Sequence, residues 1–476
     1  MRFIDRKDEM EKLEEYNNLS KNQLMFIAIS GLRRVGKTTL IKEFIKNKKS
    51  LYFFVYESKT SAELLKELNE ELKAKEIITE FETITSWKQF FEILFSRCSE
   101  YIIIFDEFQN FYSVDRSVFS VLQKICDDNK NNKINLIILG SLVGLFKKIF
   151  ENKKEPLYGR IDSKLRLNPF TLGYSVHALK HLKYKDLQTM LEIYGIFGGY
   201  PKYYAAIEQF ELYNKNIFEI IEYLFIQENA PLENEVVDIL RQEFGRRSSL
   251  YYSILNAIAS GKTKLNEIAT STGMKESSIT RHLAELEEKF ELIKAMKSID
   301  NKKNTRYCIQ HPLILFWFRF VYSKFSEFKL KNTKQTMQTI KSEFNTYFGR
   351  RFEEVVRESI VEMNKQNMLP LSVEYLSNWW GSKREEGERK EIEIDLIALD
   401  EKNKKAMFVE CKWKENVDAQ KVVNELKEKT GFVKWNNNKR KEYFCIFAKS
   451  FKKKINKDDI LLFDLKNLEK INDEQD

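Results

Sequence analysis

The chain has 476 residues, too many for one hydrophobic core, so two to four domains are expected. It is 43% hydrophobic, which is ordinary for a soluble globular protein, and its 80 basic and 71 acidic residues leave a net charge of +9 that permits nucleic-acid binding without requiring it. Five scattered cysteines with no CxxC pair exclude a disulfide framework and a cysteine zinc site. No signal-peptide core and no membrane-spanning apolar run stand in the sequence, so a cytoplasmic protein with no membrane partner is expected.

In chain order, residues 24–29 read as a buried strand, followed by Gly31-Leu32-Arg33-Arg34-Val35-Gly36-Lys37-Thr38-Thr39 and a helical pattern. Strand, Gly-rich loop and helix form the context that a Walker A loop requires. Gly31 and Gly36 let the backbone wrap a phosphate chain so that successive N–H groups face its oxygens, and the helix N-terminus adds its positive dipole. Lys37 then bridges the β- and γ-phosphates and the Thr38 hydroxyl ligates Mg²⁺. A nucleoside triphosphate site is predicted; the plain alternative is a glycine turn ahead of a helix.

Residues 51–56 are a second strand candidate. A third runs through Tyr101-Ile-Ile-Ile-Phe105 and ends in Asp106-Glu107, where Asp106 orients a water on the metal and Glu107 polarises the attacking water as general base. Tandem acids at this place can also simply cap the next helix. Residues 134–139 form a further strand ending in Gly140-Ser141. That spacing suits the additional-strand class of P-loop NTPases, in which a polar residue at the later strand's tip contacts the γ-phosphate, and Ser141 is the candidate.

Pro156-Leu157-Tyr158-Gly159-Arg160 and Gly198-Gly199-Tyr200-Pro201 come next. Together with the opening Phe3-Ile4-Asp5-Arg6, the G-x-R-R-x-G-K-T loop and Phe105-Asp106-Glu107-Phe108-Gln109, they resemble the archaeal-type ATPase family of the AAA+ and signal-transduction branch, over residues 1 to about 205. The resemblance implies ATP as the nucleotide and ATP hydrolysis as the activity. It also implies a helical lid from about residue 171 that includes residues 198–201. Arg160 becomes a candidate arginine finger, acting within its chain or on a neighbour in a homo-oligomer; the bland reading of Arg160 is a surface salt bridge.

Residues 248–260 read as a helix stopped by Gly261, residues 265–273 as a short helix and turn, and residues 277–289 as a third helix with Ile279, Leu283 and Leu286 on one face. Strands at 290–296 and 305–310 flank a polar turn at 298–304. Three helices and a β-ribbon predict a winged helix-turn-helix. In a DNA reader, Ser277, Ser278, Thr280 and Arg281 face the major groove while Lys297, Lys302 and Lys303 meet phosphates. The other reading is a packing platform, which the acidic helix end (Glu285, Glu287, Glu288, Glu291) favours. His311, opening an apolar run through residue 320, stands where the archaeal-type family often has Asp.

From about residue 346 a helix carrying Phe352-Glu353-Glu354 precedes a β-rich stretch. Trp379-Trp380 lead into a strand with Asp395, and after a turn at 400–404 a second strand carries Glu410, Cys411, Lys412 and Trp413. Alternation puts Glu410 and Lys412 on one sheet face. Asp395 and Glu410 on adjacent strands can hold a divalent metal, Glu353 can complete its shell, and Lys412 can orient the attacking water and steady the phosphorane charge. E-x-K spacing alone is cheap: Glu71 with Lys73 and Glu425 with Lys427 also match, in helical patterns with no strand Asp before them.

The pattern resembles the PD-(D/E)xK restriction-endonuclease-like superfamily and, more closely, a domain of unknown function commonly fused to archaeal-type ATPases. That resemblance implies a Mg²⁺-dependent DNA endonuclease. The alternative is a degenerate nuclease fold that grips DNA or a protein partner, its charges forming a buried ion network.

The expected architecture is α/β: a P-loop ATPase core of the additional-strand class over 1–170, a helical lid over 171–235, a winged helix-turn-helix over 236–325, a linker over 326–345 and a restriction-endonuclease-like α/β domain over 346–476. The expected function is an ATP-binding and ATP-hydrolysing protein that couples nucleotide state to a metal-dependent endonuclease-like domain, in DNA processing or defence. The alternative is an ATPase regulator that binds DNA or protein partners without cleavage.

Overall fold

A computed structural model of the chain describes residues 6–245, 248–299, 305–324, 333–385 and 388–473. Its contacts divide into two units. The first holds the residues up to 169 together with Tyr200–Lys202 and Glu288–Phe290; the second holds Phe170–Gly199, Tyr203–Glu287 and the chain from Glu291 onward.

In the first unit, strands β1 (Met25–Ser30), β2 (Ser50–Phe54), β3 (Ile102–Asp106), β4 (Asn135–Gly140) and β5 (Ser163–Arg166) form one sheet in the order β2-β3-β4-β1-β5. All neighbouring pairs are parallel. The reason lies in composition: β1, β3 and β4 are nearly continuous apolar runs, as strands covered on both faces must be. Strand β4 lies between β1 and β3, so the glycine-loop strand and the acidic strand are not neighbours. One side of the sheet is filled by a phenylalanine cluster in which Phe105 meets Phe53 at 5.2 Å and Phe111 meets Trp87 at 5.0 Å between ring centroids.

The second unit begins with helices Leu172–His181 and Leu187–Phe197. Helices Ser248–Ala259, Leu265–Thr272 and Glu276–Ala284 follow, and a π-helical turn, Glu285–Lys289, takes up what the periodicity predicts as the end of a single helix over 277–289. Strands β6 (Ile293–Lys297) and β7 (Thr305–Ile309) then pair antiparallel, with Ile293 opposite Ile309. Lys302 and Lys303 lie outside the described residues, as do Phe3, Ile4 and Asp5.

The expected linker over 326–345 is corrected from residue 333 onward; residues 326–332 lie outside the described residues. Helix Thr333–Lys365 runs unbroken across residue 345. Met337, Ile340, Phe344, Tyr347, Phe348, Phe352, Val355, Val356, Ile360 and Met363 form one buried stripe at helical spacing, so no boundary exists within it.

The C-terminal sheet comprises β8 (Tyr375–Glu385), β9 (Glu388–Asp400), β10 (Lys405–Lys412), β12 (Lys441–Ala448) and β14 (Ile460–Phe463), with the short parallel pair β11 (Val417–Asp418) and β13 (Phe451–Lys453) beside it. The order is β14-β12-β10-β9-β8. Strands β8, β9 and β10 meander antiparallel, whereas β10, β12 and β14 are parallel, a change that needs a crossover; helix Ala419–Thr430 supplies it between β10 and β12.

His311 opens helix Pro312–Phe320 and is 4% exposed. Burial, reinforced by the positive charge of Arg351, lowers its imidazole pKa from 6.5 to about 3. The folded form therefore stays neutral while the unfolded chain takes up a proton as the pH falls below 6.5, so stability falls with pH across this window. Between pH 7.5 and pH 5 the second unit should lose about 2 kcal/mol, read as a drop in its melting temperature. His311→Asn should remove that slope; an unchanged pH dependence in the variant contradicts the assignment.

Candidate functional site

The glycine loop connects the end of β1 to helix Lys37–Phe44. Gly36 has φ 92°, a left-handed conformation that side chains resist, and a Cβ on Gly31 would come within 2.4 Å of the Leu167 carbonyl oxygen. Both glycines are therefore required by the backbone path. Arg34 is also left-handed, at φ 71°, so that the loop alternates backbone hands as an anion-cradling nest does. Leu32, Arg33 and Val35 complete the loop, and Thr39 is exposed on the helix it feeds.

Lys37 is buried, and its ammonium donates to the Gly31 carbonyl at 2.8 Å and the Leu32 carbonyl at 3.0 Å. The Thr38 hydroxyl donates to Asp106 Oδ2 at 2.8 Å across the sheet edge. Hydroxyl and carboxylate together are the all-oxygen donor set that suits Mg²⁺, which keeps most of its own waters. Glu107, next after Asp106, is left-handed at φ 55°, a strained conformation for a non-glycine residue, and its N–H donates to Asp106 Oδ1 at 2.8 Å. Its carboxylate accepts from Ser141 Oγ at 2.6 Å and from the Gln109 amide, with Arg33 Nη1 at 3.8 Å. Lys37, Thr38, Asp106, Glu107 and Ser141 thus converge at the C-terminal ends of β1, β3 and β4.

Sequence reasoning missed three supporting side chains. The Tyr52 hydroxyl donates to Asp106 Oδ2, Gln109 holds Glu107, and the Arg6 guanidinium donates to the Val35 carbonyl at 3.1 Å and the Asn168 carbonyl at 2.7 Å, fastening the loop from behind. Gln109 stands in the quoted F-D-E-F-Q segment and Arg6 in the opening motif, so only Tyr52 carried no signal.

Arg160 is not brought to this cluster. Its guanidinium pairs with Asp127 at 3.1 Å and donates to the Tyr158 carbonyl at 2.9 Å. Two residues on, Asp162 exchanges hydrogen bonds with the backbone of Phe26, at the start of β1. The glycine loop leaves the other end of that six-residue strand, roughly 15–20 Å away. The expectation of an arginine finger acting on the chain's own loop is corrected accordingly: a surface ion pair describes this guanidinium.

In the second unit, the β9–β10 register runs from Asp400 opposite Lys405 to Leu396 opposite Val409. Beyond that last pair the pairing of β9 with β8 shifts register, while alternation along β10 puts Glu410 and Lys412 on one sheet face. Asp395 Oδ2 accepts from the Cys411 N–H at 2.7 Å. Glu410, whose side chain is 7% exposed, accepts from Lys412 Nζ at 2.7 Å and from Lys429 Nζ at 3.1 and 3.2 Å. Helix Thr333–Lys365 presents Glu353, whose Oε2 accepts from the Asn378 amide at 3.1 Å, while the same amide donates to the Asp395 carbonyl at 2.7 Å.

Burial, and then the charge of Glu410, raise Asp395 from 3.8 to about 6. Burial, and then Asp395, push the Glu353 carboxyl well above the usual carboxylate range. Burial opposes the charged form of Lys412, but contact with Glu410 outweighs it and keeps the ammonium above its ordinary pKa.

The expected three-carboxylate shell is corrected in one respect. Among the described residues no three acidic, histidine or cysteine side chains are grouped as a metal cage. The two lysines draw Glu410 to themselves and the Cys411 amide holds Asp395. The pair Asp395 and Glu410 still fits a hard cation of the Mg²⁺ type, which commonly uses one or two carboxylates and water.

The three-helix segment leaves Ser277, Thr280 and Arg281 exposed and Ser278 half-buried. Its ribbon is tied to the C-terminal sheet. Arg306 meets Glu393 at 2.5 Å and Glu391 at 3.2 Å and lies 4.8 Å from the Trp380 ring centre, and Lys264 pairs with Glu391. The Ser377 hydroxyl donates to the Lys297 carbonyl at 3.4 Å.

Comparison with known proteins gives two family matches. Residues 3–210 match an ATPase domain predominantly from Archaea, and residues 317–423 match a family described as archaea bacterial proteins of unknown function. The second match starts within helix Pro312–Phe320 and takes in the long helix that replaces the expected linker. Among curated proteins, the uncharacterised protein MJECL04 of Methanocaldococcus jannaschii is 33% identical over 98% of this chain and 99% of its own length. An uncharacterised ATP-binding protein of the same organism is 53% identical over 47 residues, 10% of this chain and 76% of its own. Among solved structures, a Walker-type ATPase of Pyrococcus abyssi shares the fold at 23% identity and a TM-score of 0.53, over 67% of this chain and 96% of that one.

Proposed function

The chain belongs to the same family as the uncharacterised protein MJECL04, and its residues 3–210 match an ATPase domain predominantly from Archaea; from that premise we propose an ATP hydrolase that governs a cation-dependent DNA endonuclease site in its second unit. In the first unit, Lys37 would leave the Gly31 and Leu32 carbonyls for the β- and γ-phosphates, and Thr38 and Asp106 would hold Mg²⁺, which shields the phosphate charge. Glu107 takes the proton of the attacking water, and Ser141, now bonded to Glu107, senses the γ-phosphate. An arginine-finger role for Arg160 then requires a second copy of the chain.

In the second unit, Asp395 and Glu410 would hold a divalent cation that polarises a phosphodiester, Lys412 would orient the attacking water, and Glu353 would support Asp395. The three-helix segment and its ribbon read as a winged helix-turn-helix. What favours its use as a packing platform over direct DNA reading is that Arg306 and Lys264 are committed to Glu391 and Glu393.

One observation carries the coupling: the helix that presents Glu353 is also bonded to the helices expected to form the lid. Glu358 accepts from the Leu172 N–H at 2.8 Å and from the Tyr194 hydroxyl, and Arg351 donates to the Gly195 carbonyl at 3.1 Å. A shift of those two helices would therefore reach Glu353 through a single rigid element. The test is plasmid nicking in Mg²⁺ or Mn²⁺ with ATP, ADP or a non-hydrolysable analogue. Nicking should change about tenfold with nucleotide state. Glu107→Gln should keep ATP affinity, lose roughly a hundredfold or more in turnover and lock nicking at its ATP level. Identical nicking under all nucleotides would refute the coupling.

A further inference from the structure

Lys429 lies in the last turn of helix Ala419–Thr430, whose buried Ala419, Val422, Val423 and Leu426 join the core of the C-terminal sheet. A lysine there is ordinarily explained by the negative end of the helix dipole. At this helix end, however, the Thr430 carbonyl is taken by Arg440 at 2.8 Å, and Lys427 goes to Asp459 at 3.5 Å and the Phe444 ring. The Lys429 ammonium instead reaches both oxygens of Glu410, at 3.1 and 3.2 Å, while Lys412 holds one of them at 2.7 Å. One carboxylate with two ammonium groups would be over-neutralised by itself. Asp395 beside this cluster adds a further carboxylate, and together the two lysines supply the double positive charge that a divalent cation would bring.

We propose that Lys429 is a second working lysine of the carboxylate site: it holds Glu410 in the cation-free protein and turns to the phosphate backbone of bound DNA when Glu410 is given up to a cation. The inference rests on reading this site as a cation-dependent phosphodiester site. Lys429 is the suited partner of the two, since Lys412 sits on the same strand as Glu410 whereas Lys429 reaches over from a helix on a flexible four-carbon stem. Sequence reading could not find it, because nineteen residues separate it from Glu410 in a lysine-rich chain.

The experiment uses the full chain and two readouts besides cleavage. Mn²⁺ binding is measured by calorimetry without DNA, and duplex binding by fluorescence anisotropy in Ca²⁺. Lys429→Met should bind Mn²⁺ about tenfold more tightly than wild type, because a competing charge is gone, and bind the duplex several-fold more weakly. Lys429→Gln, which keeps a donor and loses only the charge, should behave alike. Unchanged or weakened Mn²⁺ binding in both variants, at the site that Asp395→Asn removes and Thr38→Ala leaves intact, overturns the role of Lys429. If wild type and Asp395→Asn bind Mn²⁺ equally, the endonuclease reading falls and this inference with it.

Discussion

Lys37→Ala should lower the rate of ATP hydrolysis by at least roughly a hundredfold and weaken ATP binding, as measured by phosphate release and by titration with a fluorescent nucleotide. The argument is electrostatic. Lys37 is buried beside the loop carbonyls, so its ammonium is desolvated and held within the glycine loop before any phosphate arrives. A preorganised cation of this kind costs no reorganisation at the moment of reaction. Arginine is no substitute, since the two carbonyls at 2.8 and 3.0 Å accept a compact ammonium and a planar guanidinium demands more room. Thr38→Ala should give a milder loss that added Mg²⁺ partly restores. Hydrolysis at the wild-type rate in Lys37→Ala would mean that the loop does not cradle a triphosphate.

Asp395→Asn and Lys412→Met should each reduce metal-dependent nicking of plasmid DNA by about a hundredfold or more. The two variants should separate on stability. Asp395 is a half-buried carboxylate near Glu410, and removing its charge relieves repulsion, so the melting temperature of Asp395→Asn should hold or rise. Lys412→Met leaves Glu410 with Lys429 alone and should lose about 1 kcal/mol or more. Lost nicking without lost stability identifies a residue kept for chemistry. If wild type and both variants leave DNA equally intact with every metal and nucleotide, the regulator that binds without cutting becomes the reading.

Tertiary structure revised the sequence reading at two places, each for a physical reason. Residues 326–345 are rich in lysine, threonine and asparagine, which reads as a connection; yet the apolar stripe from Met337 to Met363 keeps helical period through the expected boundary, and burying it continues the helix. Arg160 follows a motif that points to an arginine finger, but the motif is silent on which end of the sheet it joins, and Asp162 fastens that end to Phe26. Arg306 of the ribbon, which the sequence reading did not single out, is held by Glu391 and Glu393 of β9.

By itself the sequence located the groups that lie close along the backbone: the glycine loop with Lys37 and Thr38, the acidic strand end at Asp106 and Glu107, and the hairpin that carries Asp395 on one strand and Glu410 with Lys412 on the next. These follow because strand alternation, turns and helix starts place side chains within a few residues of one another, where spacing dictates geometry. Tertiary structure alone decided which distant groups close on them: Tyr52 on Asp106, Arg6 behind the loop, Asn378 between Glu353 and Asp395, and Lys429 on Glu410. Those contacts are made by separate elements whose packing is set by apolar surface, and nothing in the spacing of polar residues records where that packing brings them.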